Sequence, residues 1–187
     1  MTQDSLTRRK ALTLGVASLA TLATPALANT QAPVRRNASA FVTRDWRKHF
    51  KSLGKGAIIC DTSSRALHFW DASGTDYRVY PTSVPMSEDM IKRGYTSVVR
   101  KKVGPTWTPT ANMRKRTPTL PTFMPAGPDN PLGTHAMYLG WSAYLIHGTH
   151  DTRKIGRKSS SGCIGLYNPM IEELFAATPV GTQVLVL

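Results

Sequence analysis

Cysteine is scarce in this chain, with two residues in 187, and this scarcity limits what the thiols can do. Cys60 lies in an apolar segment, Gly56-Ala-Ile-Ile-Cys-Asp61, where a buried and unreactive thiol is the natural interpretation. Cys163 follows a Ser-Ser-Gly sequence that favours a turn. A disulfide between them would consume the thiol that stands in a reactive setting, so we expect both cysteines to be free.

Acidic residues are also few. The chain has 11 Asp and Glu against 24 Lys and Arg, which gives a formal net charge of +13. Such a charge implies an anionic partner. Nucleic acid is the generic partner of a basic chain, but the export signal described next argues against it. We therefore expect no nucleic-acid partner, and the charge alone does not identify the anion.

The chain lacks the long uninterrupted apolar run that would anchor it permanently in a membrane. Its apolar segment at residues 11–27 is interrupted by Ser, Thr and Pro, and no stop-transfer flank follows. Paired arginines, Arg8-Arg9, precede this segment, and Ala26-Leu27-Ala28 has the small-x-small form of a signal peptidase site. These features predict a signal peptide at residues 1–28 that is cleaved after Ala28, by either the twin-arginine or the Sec route. The exported protein would then reach the periplasm with a net charge of +11, because residues 1–28 hold three basic side chains and one acidic.

The remaining sequence suits one domain. Residues 29–40 contain Pro, Arg and Ser and predict a flexible linker, and residues 41–187 predict a single folded domain without internal repeats. Short apolar segments predict strands at residues 57–61, 66–70, 77–80, 96–103, 134–139, 143–147 and 184–187. Short helices are predicted after Thr43 as N-cap, over residues 112–116, and over residues 169–177 with Asn168 as N-cap. Many short strands with few helices indicate a mainly β architecture.

The side chains with the most chemical potential lie in residues 144–168. A short apolar run predicts a buried strand that ends at His147, and Cys163 follows sixteen residues later. An imidazole can take the proton of a nearby thiol so that the thiolate attacks a carbonyl. Gly162 lets the backbone bend so that successive N–H groups converge beside the sulfur, as an oxyanion hole requires. His147, His150 and Cys163 are also zinc-ligand types, but no fourth ligand is spaced nearby.

This pattern resembles the L,D-transpeptidase (YkuD-like) family. The family signature is matched by His147, Ser160, Gly162, Cys163, Ile164 and Asn168. The resemblance runs from about residue 56 to residue 187 and includes Trp107-Thr-Pro, Asn130-Pro-Leu-Gly133 and Val180-Gly-Thr-Gln-Val. One position departs from the signature, because Gly165 stands where the family has an arginine.

The resemblance implies a β-sandwich or barrel of mixed sheets and an enzyme that cross-links peptidoglycan stem peptides, donor and acceptor. Cys163 would form a thioacyl-enzyme, and His147 would be the general base, with the Gly148 carbonyl orienting its ring. The backbone N–H groups of Gly162 and Cys163, next to Ser161, would bind the oxyanion. Substrate binding is assigned to Tyr138, Trp107, Ser160 and Gly165. No cofactor and no metal are implied, and a monomer is expected.

Glycine at position 165 leaves the type of cross-link open. An arginine could bind a substrate carboxylate through two parallel hydrogen bonds, and glycine cannot. We therefore expect open space beside Cys163 where an arginine would lie, and either a 3,3 or a 1,3 L-Ala–diaminopimelate cross-link. Hydrolysis or D-amino-acid exchange would use the same acyl-enzyme. Alternatives of other classes are a non-catalytic peptidoglycan-binding module and a zinc-dependent wall hydrolase.

Overall fold

A computed structural model describes residues 42–187 of the chain, so the predicted signal peptide and linker lie outside the described residues. The strands are β1 (Ala57–Asp61), β2 (Ala66–Trp70), β3 (Tyr77–Pro81), β4 (Val84–Pro85), β5 (Gly94–Val103), β6 (His135–Leu139), β7 (Leu145–His147), β8 (Lys158–Ser160), β9 (Ile164–Gly165) and β10 (Gln183–Val186). The α-helices are α1 (Ala111–Arg116) and α2 (Asn168–Ala177), and short 3-10 helices cover Trp46–Lys48, Glu88–Met90 and Thr152–Lys154. The predicted strands and helices are thus largely confirmed.

Eight strands form one curled sheet in the order β3-β2-β1-β10-β5-β6-β7-β9. The pairs β1–β10 and β7–β9 are parallel and the other pairs are antiparallel, so the sheet is mixed. Strands β4 and β8 form a separate parallel pair, and a bridge between Ser83 and Gly165 joins the start of β4 to β9. A mainly β fold with mixed sheets and few helices is therefore confirmed.

The main core lies between this sheet and α2. It contains Met137 of β6, Ile146 of β7 and Ile164 of β9, which pack with Ile171 and Leu174 of the helix. Side chains alternate between the two faces of a strand, so the neighbours of these residues point to the opposite face. On that opposite face Leu132, Ala136 and Leu145 form a smaller apolar cluster, which we call the site cluster.

Two predicted helix caps are wrong. The first helix is a single 3-10 turn capped by Asp45, whose side chain accepts the Arg47 N–H, and Thr43 has no capping role. Helix α2 begins one residue early, with Tyr167 in the N-cap position. The Asn168 side chain instead accepts the backbone N–H of Thr134 at 3.2 Å, a partner far away in sequence.

Both cysteines are free, as predicted, with Cys60 buried in the main core. The strand predicted at residues 143–147 is shorter than expected, because Ala143 has a φ of 58° and belongs to the turn before β7. Within residues 42–187, no helix has the length and apolar character needed to cross a membrane.

Candidate active site

His147 and Cys163 come together on one face of the sheet. Strands β7 and β9 run in parallel, with Ile146 opposite Ile164 and His147 opposite Gly165. Because Ile146 and Ile164 point into the main core, His147 and Gly165 point to the other face. Cys163 precedes Gly165 by two residues and shares that face, where it packs against the site cluster. The structure thus places the predicted base at the end of β7 and the predicted nucleophile directly before β9.

The His147 ring is buried and held in one tautomer. Its Nδ1–H donates to the Gly148 carbonyl, which leaves Nε2 as the acceptor that a general base needs. Burial lowers the pKa of His147 to about 4; the hydrogen bond to Gly148 opposes this shift, and the charge of Lys154 adds to it. The imidazole is therefore neutral at pH 7 and able to take a proton.

A close backbone junction fixes the position of the Gly148 carbonyl. A Cβ built on Gly133 would lie 2.6 Å from both Gly148 C and Thr149 N, and Gly133 has a φ of +63°. The Gly148 N–H donates to the His135 carbonyl at 3.0 Å. Asn168 Oδ1 lies in the same junction and would overlap a Cβ on either glycine. The junction therefore requires glycine at both positions, and it holds the group that orients His147.

Cys163 is half-buried, and its thiol is neutral. The thiol donates to the Ala143 carbonyl at 3.6 Å. Burial raises the pKa of Cys163 to about 11, and the Leu145 N–H and the charge of Lys92 act in the opposite direction. Catalytic hydrogen bonds often form only when substrate binds. Proton transfer to His147 here requires the thiol hydrogen to leave the Ala143 carbonyl.

Ser160 stabilises the turn before Cys163 through two hydrogen bonds. Gly162 has a φ of +136°, a conformation that other residues rarely adopt. Ser160 Oγ donates to the Cys163 carbonyl at 2.6 Å and accepts the Gly162 N–H at 3.4 Å. Ser160 therefore supports the turn, and its predicted contact with substrate remains a prediction. Ser161 is half-buried at the bend between them.

Trp107 and Tyr138, both predicted to bind substrate, lie beside the nucleophile. Each is half-buried and packs with Cys163 against the site cluster. The backbone of Trp107 is fixed by two hydrogen bonds with Met124, at 2.9 and 2.8 Å. Tyr138 lies directly opposite Leu145 in the pairing of β6 with β7. The structure thus brings four of the predicted residues, with His147 included, onto one face.

The expectation of open space at Gly165 is wrong. Gly165 is buried, and its N–H and carbonyl bond to Ser83 at 3.2 and 2.8 Å. A Cβ at this position would overlap Ser83 Oγ and would come 3.7 Å from His147 Cε1. Glycine is present because the chain before β4 approaches β9 closely. We therefore expect no direct contact between Gly165 and a substrate.

Sequence reasoning missed two residues that shape the site and gave a third the wrong role. The charge of Lys92 acts to lower the pKa of the Cys163 thiol, against the larger effect of burial, and Ser83 fills the space beside Gly165. Asn168 belongs to the family signature, but its role as a brace for the Gly133–Gly148 junction depends on a distant contact that no local pattern shows. Among residues 42–187, no three His, Cys, Asp or Glu side chains are arranged to hold a metal ion.

Comparison with known proteins shows which family this sequence matches. The family model of the YkuD L,D-transpeptidase catalytic domain matches residues 55–186. A Fuscovulum blasticum protein, named as a candidate L,D-transpeptidase in the ATP synthase subunits region, is 62% identical over 188 residues, which is 98% of this chain and 99% of that protein. The probable L,D-transpeptidase ErfK/SrfK of Escherichia coli K12 is 40% identical over 135 residues, 70% of this chain but 43% of its own length.

A similar fold occurs in the crystal structure of L,D-transpeptidase 3 from Mycobacterium tuberculosis in complex with a faropenem-derived adduct. The TM-score is 0.54 at 14% identity, and the match covers 71% of this chain and 60% of that one. At this identity the likeness concerns the fold alone. The family model and the two relatives carry the assignment: the chain belongs to the YkuD L,D-transpeptidase family.

Proposed function

We propose that this protein is a cysteine L,D-transpeptidase that cross-links peptidoglycan stem peptides through a thioacyl-enzyme at Cys163. The observation that supports this most is the placement of both side chains on one face of the sheet, His147 at the end of β7 and Cys163 directly before β9, with Nε2 of His147 left as an acceptor. The mycobacterial enzyme of similar fold carries a faropenem-derived adduct, which is consistent with a reactive group in this kind of site.

In the first half-reaction, the Cys163 thiol gives its proton to His147 as the sulfur attacks the carbonyl of the donor stem. The negative charge that develops on the carbonyl oxygen is stabilised by the Cys163 N–H, and by the Gly162 N–H once it leaves Ser160 Oγ. The C–N bond then breaks, and the imidazolium protonates the leaving amine. A thioester joins the donor to the enzyme.

In the second half-reaction, the amine of an acceptor stem attacks the thioester and gives a proton to His147. The tetrahedral intermediate collapses, the C–S bond breaks, and the sulfur regains its proton from the imidazolium. The thiol and the imidazole are both neutral before substrate binds, so each proton moves as a bond to carbon forms or breaks. No redox step is involved.

We further propose that the chain is exported to the periplasm, where its basic charge favours the free carboxylates of stem peptides. Both a 3,3 and a 1,3 L-Ala–diaminopimelate cross-link agree with this site, because buried Gly165 selects neither. The non-catalytic wall-binding alternative does not account for the intact pair of Cys163 and His147. The zinc-hydrolase alternative finds no ligand set among residues 42–187.

Faropenem labelling followed by intact-mass spectrometry tests the thioacyl mechanism. We expect one adduct per chain, located on Cys163, and no adduct on Cys163→Ala. Incubation with purified muropeptides should give cross-linked products with the wild type and none with Cys163→Ala. The matched control is Cys60→Ala, which removes the other thiol from the core and should keep both reactions. Cross-links made by Cys163→Ala, or none made by the wild type, would contradict the proposal.

A further inference from the structure

Strand β5 contains a β-bulge next to the catalytic face. Val98 pairs with Leu139 and Arg100 pairs with Tyr138, so Val99 is an extra residue between the two pairs. Val98 and Leu139 both lie in the main core. Without the bulge, Arg100 would lie two positions after Val98 in a regular strand, and its side chain would point toward the same core. With it, Arg100 is exposed.

The bulge therefore reverses the direction of the charged residues that follow. Lys101 pairs with core residue Met137, and its ammonium group donates to the Phe175 carbonyl at the end of α2. Arg100 and Lys102 point to the other face, the one that carries His147. Bulges next to active sites commonly re-aim a side chain in this way.

Arg100 lies in a row of paired residues that leads to the nucleophile. Arg100 pairs with Tyr138, and Tyr138 pairs with Leu145. Cys163 in turn packs against the site cluster, which contains Leu145. Neighbouring strands lie about 4.8 Å apart, so about 10 Å separates the backbone of Arg100 from that of Leu145. Extended peptide covers that distance in about three residues, which is within the length of a stem peptide.

The Arg100 guanidinium is positioned but not neutralised. Its central carbon lies 3.4 Å from the centroid of the Tyr138 ring. Stacking of this kind fixes the plane of the group and leaves the N–H groups at its edge available. Among the described residues, no carboxylate lies within ion-pair distance of Arg100, whereas Arg78 pairs with two carboxylates and Arg153 with one.

We propose that Arg100, held on the Tyr138 ring, determines donor specificity by binding a free carboxylate of the acyl donor. This inference rests on the proposed transpeptidase function. Guanidinium and carboxylate can form two parallel hydrogen bonds, which fix orientation as well as position. Gly165 has no side chain with which to make such a contact, so the carboxylate-binding group is supplied from β5 instead. Two carboxylates of a stem can be read in this way, that of diaminopimelate and that of the D-glutamyl residue.

The test measures kcat/KM for three tetrapeptide donors with one acceptor. One donor has both carboxylates free, one is amidated at diaminopimelate and one is amidated at the D-glutamyl residue. We expect the wild type to prefer the free donor over one amidated donor by about tenfold, or about 1.4 kcal/mol. Arg100→Gln should lose this preference by becoming slower with the free donor, and it should match the wild type with that amidated donor. Which amidation has this effect identifies the carboxylate.

Arg47→Gln is the matched control. Its guanidinium also lies over an aromatic ring, 4.8 Å from the centroid of Trp46, but Trp46 packs against a different apolar cluster from the one at the site. We expect its donor preference to be that of the wild type. Arg100→Lys keeps the charge and loses the planar, stacked group, so it should retain only part of the preference.

Two results would overturn the proposal, and they are distinguishable. If Arg100→Gln keeps the wild-type preference, or is slowed equally with all three donors, Arg100 does not read a carboxylate although the enzyme is a transpeptidase. If the wild type uses no donor and Cys163 takes no faropenem label, the proposed function itself is wrong and this inference is lost with it.

Discussion

Gly133→Ala is the single-methyl change that should disturb this site most, although it replaces neither His147 nor Cys163. The added Cβ would stand 2.6 Å from Gly148 C and Thr149 N. These are backbone atoms, so they cannot rotate away as the end of a side chain can. The φ of Gly133, +63°, adds strain for any residue with a Cβ.

The expected cost has two parts. A left-handed backbone conformation costs a non-glycine residue about 1–2 kcal/mol. Overpacking in a close-packed region typically costs about 1–3 kcal/mol more. Gly133→Ala should therefore lower the free energy of unfolding by roughly 2–5 kcal/mol, a large share of the stability of a typical domain.

Substitutions at two other glycines distinguish the conformational cost from the overpacking cost. Gly156 has a φ of +79° and nothing within 4 Å of its Cβ position, so Gly156→Ala should pay the conformational cost alone. Gly127 has open space and no such φ, so Gly127→Ala should be neutral or slightly stabilising. Urea denaturation of the three variants should rank the losses Gly133 > Gly156 > Gly127.

The same substitution should also slow acylation. Gly148 supplies the carbonyl that orients His147, and a displaced carbonyl leaves the imidazole misplaced. The rate of faropenem labelling, measured on folded protein well below the melting temperature, should fall for Gly133→Ala and stay unchanged for Gly156→Ala. If Gly133→Ala lowers the free energy of unfolding no more than Gly156→Ala does, the close contact between Gly133 and Gly148 would be contradicted.

Three further predictions follow from the buried groups. Gly165→Ala should destabilise the fold by about 1–3 kcal/mol, and adding Ser83→Ala should recover most of that loss in denaturation experiments; no recovery would contradict the contact between them. Alkylation of Cys163 by iodoacetamide should quicken as pH rises toward its pKa of about 11, and a titration below pH 7 would mean an ion pair with His147 instead. His68 and His147 each have a pKa lowered to about 4 by burial, so the unfolded chain binds more protons between pH 6.5 and 4. The free energy of unfolding should therefore fall over this range as pH is lowered, by up to about 3 kcal/mol per histidine, and a flat profile would refute the assignment.

The parts of the fold that sequence could predict are those set by local pattern. Strands β1 and β2 are apolar segments bounded by turn residues, and both have the predicted limits. Cys163 was recognisable because its frame of Ser, Gly and an aliphatic residue is contiguous. The predicted cap of α2 is wrong because it depends on a distant contact. Asn168 is a strong N-cap residue by type, but its side chain accepts the backbone N–H of Thr134 instead.

Gly165 shows how a correct observation can lead to a wrong structural expectation. The sequence has glycine there in place of the family's arginine, and empty space follows only if the rest of the site is unchanged. Ser83 lies directly before β4, and its pairing with Gly165 places its side chain in the space beside that glycine. The absence of a side chain at Gly165 and the close approach of Ser83 belong together, because the approach is possible only with glycine. Only the three-dimensional structure shows both.

The net charge of the chain likewise does not show which basic side chain is available to an anion. Net charge predicts an anionic partner but does not locate it, because many basic side chains are already paired, among them Arg44 with Asp61 and Arg78 with Glu173. Strict alternation along β5 would have turned Arg100 toward the core beside Val98. One extra residue at Val99 turns it instead toward the face that holds His147 and Cys163, so the proposed binding of an anionic donor depends on a backbone irregularity and not on the number of cations.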